Sequence, residues 1–278
     1  MTKVLGHYRL ASLAMGDDVT LTRYVRDDRG HNSRRRTQPR LPGLEAGFIQ
    51  EGRTKFGKSV KRVDQMKHML VSGHSNVKIG RDVRKGHHRG KRIYTLSLEE
   101  RKTCPRTCQH WQSCYGNNMP YAKRIDHTDA DFLPTLEKEI KWLLSLPTHK
   151  AGVLIRLHAL GDFFDVPYVL FWHRMLTEHP RLAIFGYTAR QPWRKPDGFP
   201  IGSFVGNALA DMNNKFPGRS MIRFSDGKRP TMSTVSIGEA SSRPANAFQC
   251  PEQTGQTRCC ATCGACWSTT KNVAFLEH

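Results

Sequence analysis

All eight cysteines of this chain fall in two short clusters, Cys104-x3-Cys108-x5-Cys114 and Cys250-x8-Cys259-Cys260-x2-Cys263-x2-Cys266. Thiols serving as small core residues would be scattered, so the grouping marks them as ligands. A disulfide framework is the rival reading. It suits small secreted chains that lack an adequate core, whereas 278 residues with 38% hydrophobic content can bury one sizeable core, with or without an appendage. Met1 to Leu13 lacks the continuous apolar stretch of a secretory signal, and no run approaches the roughly 20 apolar residues that span a bilayer. The expectation is a cytoplasmic protein, not a membrane one, whose reducing surroundings leave thiols free or metal-bound.

A net charge of +20 is the second constraint, and it is unevenly placed. Residues 1–103 carry 24 Lys or Arg against 10 Asp or Glu, so most of the surplus lies upstream of the first cysteine. Such an imbalance calls for a polyanionic partner, and nucleic acid, DNA in the first instance, is the commonest. A solvated basic face is the plainer alternative. Residues 1–70 read as a basic N-terminal arm. From about Asp17 to Gly57 it holds Arg34-Arg35-Arg36, Pro39, Pro42 and several glycines without a sustained period. Ser59 to Leu70 could form a short basic helix with Val60, Val63, Met66, Met69 and Leu70 near one face. The following loop interleaves Lys78, Arg81, Arg84, Lys85 and Arg89 with Gly80, Gly86 and Gly90. Backbone amides and cations can approach phosphates together there, or the loop is simply solvated.

Residues 71–278 read as an ordered α/β body. Strands are expected at Ile93–Leu96, Gly152–His158, Leu182–Tyr187, Phe204–Gly206, Met221–Phe224, Thr234–Ile237 and Val273–Leu276. Helices are expected at Pro134–Leu146 and Val166–Thr177, with a helical turn at Leu98–Arg101. Alternating strands and helices imply a parallel sheet, and the number of units fits a partial or compact TIM-like (β/α) barrel.

Barrels place their chemistry at the C-terminal ends of the strands. His158 and Asp162, with Asp165 just beyond, leave one such end, and a pair of carboxylates there can divide nucleophilic and acid/base roles. Asp165, ahead of Pro167, is also placed to cap the next helix. Asp226 follows another strand and could supply the second carboxylate, although Asp226-Gly227 is an ordinary turn dipeptide. Tyr187 and Arg190 end a third strand, apt for stacking on a base and holding a phosphate, or for plain surface packing. The metal candidates are Cys104, Cys108 and Cys114 in one loop, and Cys250, Cys260, Cys263 and Cys266 with His278 near the C-terminus. The spacing admits zinc or an iron–sulfur cluster.

The Ser75–Gly80 stretch, the Thr103–Tyr115 block, the Arg156–Phe164 strand end, Gly186-Tyr187-Thr188 and the Cys263-x2-Cys266-Trp267 finish resemble a group of phage-encoded hypothetical gene products. That resemblance spans about residues 72–278 and would put the protein in a host cytoplasm. More distantly, the chain is similar to deazapurine DNA-modification enzymes related to tRNA-guanine transglycosylases. This second resemblance implies a TIM-like body, paired catalytic aspartates, structural zinc, and exchange of guanine for a 7-deazaguanine derivative drawn from a small-molecule precursor. Cys104, Cys108 and Cys114-Tyr115 followed by Gly161-Asp162 also look like the plan of radical S-adenosylmethionine enzymes, which implies a four-iron four-sulfur cluster and S-adenosylmethionine. The expected function is nucleic-acid base modification by the transglycosylase-like exchange; the alternatives are the radical S-adenosylmethionine plan and a metal-stapled nucleic-acid-binding protein without catalysis.

Overall fold

The computed structural model describes residues 51–193, 202–225 and 229–277, together with strands β1 (Tyr24–Arg26) and β2 (Asn32–Arg34). The chain divides into one unit of Met1–Ala46 with His278 and another of Gly47–Glu277. In the first, β1 and β2 pair antiparallel. Most of the expected arm from Asp17 to Gly57 lies outside the described residues, and the second unit already begins at Gly47.

The expected helix over Ser59–Leu70 does not form. Two 3-10 turns, Gly57–Ser59 and Val63–Gln65, flank β3 (Val60–Lys61), which pairs in parallel with β6 (Arg124–Ile125). Carboxylates from elsewhere take the amides a helix would use. Asp129 accepts the Val63 N–H at 2.9 Å, and Glu139 accepts those of Met69 and Leu70 at 2.9 and 3.3 Å. With their donors satisfied in this way, the residues gain nothing from i→i−4 bonding.

The central sheet runs in the order β4 (Val71–Ser72), β5 (Arg92–Leu96), β7 (Val153–Leu157), β8 (Leu182–Thr188) and β9 (Ser220–Phe224). Only β4 is antiparallel to its neighbour. Helices α1 (Phe132–Ser145), α2 (Val166–Glu178) and α3 (Phe204–Lys215) precede β7, β8 and β9 in the chain. Because consecutive strands are neighbours and crossovers share one hand, all three helices pack on one face. There Leu136, Ile140, Trp172, Met175 and Leu209 meet Val153, Ile155, Leu157, Ile184 and Ile222.

Phe204–Gly206, expected as a strand, opens α3 instead. Ser203 Oγ accepts the Gly206 N–H at 3.0 Å as an N-cap, and Val205, Leu209 and Met212 form the buried helical stripe. A three-residue apolar window cannot distinguish the two periods. The expected turn of helix at Leu98–Arg101 is likewise irregular.

The opposite face of the sheet, formed by Ile93, Leu154, Ala183, Phe185 and Met221, packs against Ile79, Val83, Cys259, Ala261 and Trp267. Ile79 and Val83 come from the loop between β4 and β5, and Cys259, Ala261 and Trp267 from the C-terminal region. There β10 (Thr234–Ile237), β12 (Asn272–Leu276) and β11 (Ala247–Gln249) form a parallel three-stranded sheet in that order. The short helices α4 (Cys260–Cys263) and α5 (Ala265–Ser268) lie between β11 and β12.

The expected barrel is not what forms among the described residues. The five-stranded sheet stays open, with an antiparallel β4 on one edge and one bridge, Phe224 to Ser233, beyond β9 on the other. Closure requires every strand to find partners on both sides, and the inner face is filled instead by the cysteine-bearing segment. Among the described residues no helix is long and apolar enough to cross a membrane.

Candidate functional site

The C-terminal ends of β5, β7 and β8 lie side by side and are tied together by their loops. Ala159 N–H donates to the Leu96 carbonyl at 2.8 Å, and Leu98 N–H to that of Leu160 at 2.9 Å. Gly161, at φ +84°, permits this approach, since a Cβ there would stand 2.7 Å from Thr103 Oγ1 and 2.8 Å from Leu98 Cβ. The next residue, Asp162, is 3% exposed. Its Oδ1 accepts the Phe163 N–H at 2.7 Å and its Oδ2 the Ala189 N–H at 2.8 Å, fastening the end of β7 to the end of β8. Burial raises its carboxyl to about 6, against the lowering pull of the Thr188 hydroxyl and the two amides.

Cys104, Cys108 and Cys114 occupy the loop that leaves β5, and buried arginines hold that loop from both sides. Arg101, at φ +66°, donates from Nε to the Trp111 carbonyl at 3.1 Å and from Nη2 to Asn117 Oδ1. Arg124 donates to the carbonyls of Gly116, Met119 and Ala122 at 3.1, 3.0 and 2.9 Å, while Glu100 neutralises its guanidinium. Burial pushes all three thiols up, Cys104 well above its ordinary value and Cys114 to about 11. Asp162 raises Cys104 and Cys108 further, Cys114 and Cys108 also raise Cys104, and Glu100 with Cys108 raises Cys114. Two buried donors of this region, Arg101 Nη1 and Asn118 Nδ2, have no hydrogen-bond partner. Soft thiols beside unused donors suit a thiophilic, negatively charged group.

The second cluster gathers on the inner face of the sheet. Cys250, Cys260, Cys263 and Cys266 line one pocket together with Phe248 and Trp267. The Tyr187 hydroxyl donates to Cys266 Sγ at 3.0 Å. Arg156 stacks on the Tyr187 ring at 5.7 Å. Burial would lower the Arg156 guanidinium, but Tyr115, Tyr187, Cys260 and Cys266 outweigh it and raise the group. Among the described residues, no three His, Cys, Asp or Glu side chains are gathered closely enough to grip an ion as they stand.

Other expected site residues have different surroundings. His158 is buried rather than at the rim, with Nε2 2.8 Å from the Tyr168 hydroxyl and its ring between Phe163 and Tyr168. Burial alone lowers it to about 3, so it is neutral at physiological pH. Asp165 caps α2 by accepting the Tyr168 N–H at 2.8 Å. Asp226 and His278 lie outside the described residues. Arg190 is turned inward, donating to the carbonyls of Phe163 and Thr103, and Tyr187 is committed to Cys266.

The cationic loop is exposed at Arg81, Arg84, Lys85 and Arg89, while Lys78 is half-buried and paired with Glu252 at 3.1 Å. Its backbone is joined to the cysteine segment, Arg84 N–H to the Ala261 carbonyl at 2.9 Å and Cys260 N–H to that of Lys78 at 2.8 Å. Sequence reasoning missed Glu100, Arg101, Arg124 and Arg156. Only Arg156 carried a readable signal, as a lone charge in the apolar strand Val-Leu-Ile-Arg-Leu.

Residues 69–198 match the model of a family described as Gene product 88, which makes this chain similar to a phage-type gene product over the region holding the first cysteine cluster and Asp162. No curated protein and no solved structure matches the chain. The comparisons give no support to the expected likeness to deazapurine transglycosylases.

Proposed function

We propose that this protein is an iron–sulfur enzyme of the radical S-adenosylmethionine type acting on nucleic acid. Cys104, Cys108 and Cys114 would hold a four-iron four-sulfur cluster. One observation carries the reading: three thiols share the loop leaving the first parallel strand of the sheet, with Gly161-Asp162 packed against that loop from the next strand. When bound, such a cluster with S-adenosylmethionine supplies one-electron chemistry. The chain's own residues do the rest. Arg101 and Arg124 fix the loop through its carbonyls, and Arg101 Nη1 and Asn118 Nδ2 remain available as donors to an anionic ligand. The exposed cations from Arg81 to Arg89 supply attraction for phosphates.

The exchange of guanine for a 7-deazaguanine derivative is the second reading. What favours it is Asp162, whose carboxyl, raised to about 6 by burial, would exchange a proton near neutral pH. In that reading the metal is structural zinc. Against it, both carboxylate oxygens already accept backbone N–H groups.

Anaerobic purification followed by iron and sulfide analysis tests the proposal. The expected result is a brown protein absorbing near about 400 nm, as iron–sulfur proteins do, that consumes S-adenosylmethionine when a reductant is supplied. A colourless chain that takes up no iron on anaerobic reconstitution would overturn it.

A further inference from the structure

The four cysteines of the C-terminal pocket come from three places: Cys250 after β11, Cys260 and Cys263 on α4, and Cys266 on α5. Gly264, at φ +71°, ends α4 in the left-handed conformation and starts α5. That reversal brings Cys263 and Cys266 to the same pocket wall. Cys259, though adjacent in sequence, is different. It does not line the pocket and packs in the apolar cluster with Ile79, Phe185 and Trp267. A Cβ added at Gly80 would lie only 2.9 Å from its Sγ. Cys259 is thus a core residue, and the other four are pocket residues.

We infer that Cys250, Cys260, Cys263 and Cys266 form a second centre for a single thiophilic divalent cation, zinc in kind, separate from the Cys104 loop. The cavity between them is about 10 Å³, roughly the space of one water-sized occupant. That fits one ion among four thiols and not an iron–sulfur cube. Four sulfurs in tetrahedral array are a closed, structural zinc environment. Each thiol that binds releases its proton to solvent, so the occupied centre carries net negative charge. The surroundings are made for that charge. Arg156 Nε is buried without a hydrogen-bond partner, the Tyr187 hydroxyl already donates to Cys266 Sγ, and Arg223 braces α5 through the Cys266 carbonyl at 3.2 Å and the turn after it through that of Lys271 at 2.7 Å. Side-chain rotation brings the thiols in from the pocket walls when the ion enters. The ion then staples residues 250–266 over the inner face of the sheet. This inference does not rest on the iron–sulfur proposal, since it concerns a different set of cysteines.

Metal analysis of the full chain tests it, with cobalt substitution as an optical probe. About one zinc per chain is expected, replaceable by Co²⁺ with sulfur-to-cobalt charge-transfer bands. Cys250→Ser and Cys263→Ser should cut zinc occupancy to below about a tenth, while Cys259→Ala and Cys104→Ser retain it. Three results would overturn the inference: no zinc and no sulfur-to-cobalt bands in the unsubstituted chain; iron held by these four cysteines instead; or zinc lost from a Cys259→Ala or Cys104→Ser variant that melts like the parent. The first of these needs no variant to fold. The iron and sulfide content of the same samples reports on the Cys104 loop independently.

Discussion

Arg124 and Glu100 meet as a fully buried bidentate pair, Nε to Oε2 at 2.6 Å and Nη2 to Oε1 at 2.9 Å. Thr54 donates a further hydrogen bond of 2.7 Å to the same carboxylate. The pair neutralises a guanidinium whose remaining donors hold the carbonyls of the first cysteine loop. Charge balance and loop geometry therefore depend on one contact.

Arg124→Met should be strongly destabilising, because it strands the Glu100 carboxylate in the interior. Breaking such a pair from one side costs about 3–5 kcal/mol. Cys104, Cys108 and Cys114 should then react faster with a thiol reagent, while the C-terminal cysteines change little. Thermal melting and site-resolved alkylation by mass spectrometry measure both effects. Equal acceleration at all eight thiols would show global loosening and remove the specific role of Arg124.

Asp162 and His158 titrate against each other. The Asp162 carboxyl is raised from 3.8 to about 6, so the stability it contributes is full below about pH 4 and lost as pH rises through about 6. His158 is lowered from 6.5 to about 3, so its contribution is full above about pH 6.5 and lost as pH falls toward 3. Between about pH 4 and 6 the two slopes oppose each other. Asp162→Asn removes one of them, and its stability should fall more steeply on acidification than the parent's, by about 1.4 kcal/mol per pH unit. Urea melts across that range give the comparison; parallel pH curves for parent and variant would refute it.

The same Asp162→Asn change should also lower stability at pH 7. An amide can present its oxygen to only one of the Phe163 and Ala189 N–H groups, and its NH2 faces the other. Leaving a buried donor unsatisfied costs about 1–3 kcal/mol. A melting midpoint equal to the parent's would show that the Ala189 contact adds nothing.

Gly161→Ala should disrupt the site from the backbone. It combines a left-handed φ with a Cβ pressed against Thr103 and Leu98, a cost of about 1–3 kcal/mol for the backbone alone. Iron retention at the Cys104 loop should fall with it, as read by metal analysis after anaerobic reconstitution. Full iron content in a stable variant would separate the Gly161 turn from the cysteine loop.

Neutralising Arg81, Arg84, Lys85 and Arg89 together should weaken duplex binding and flatten its salt dependence by about 0.9 log units per lost phosphate contact. Deletion of residues 1–46, which leaves the second unit whole, should reduce the slope separately. A salt titration of binding reads each, and an unchanged slope in both variants would exclude these segments as phosphate contacts.

Much of the sheet was legible because its strands are short apolar runs bounded by turns. Thr234–Ile237 has the expected limits, and Val153–Leu157 differs from expectation by one residue at each end. The irregular stretch from Ser59 to Leu70 was illegible for a different reason. Its amides are claimed by Asp129 and Glu139, some 70 residues away, and no local pattern announces a distant acceptor. The cysteine sets could be read from spacing, but the packing of Cys259 away from the pocket could not, because it depends on Gly80 across the fold. The Glu100–Arg124 pair is equally silent in sequence, since a charged residue usually signals solvent.

The inner face of the sheet also sets an order on synthesis. Ile93 and Leu154 on that face are made long before Cys259, Ala261 and Trp267, which pack against them. Until residues 259–267 have left the ribosome, that face has only Ile79 and Val83 to pack against it. Its helical face can consolidate while translation continues, but the other face is left partly open to holdase chaperones until the cysteine-bearing segment emerges.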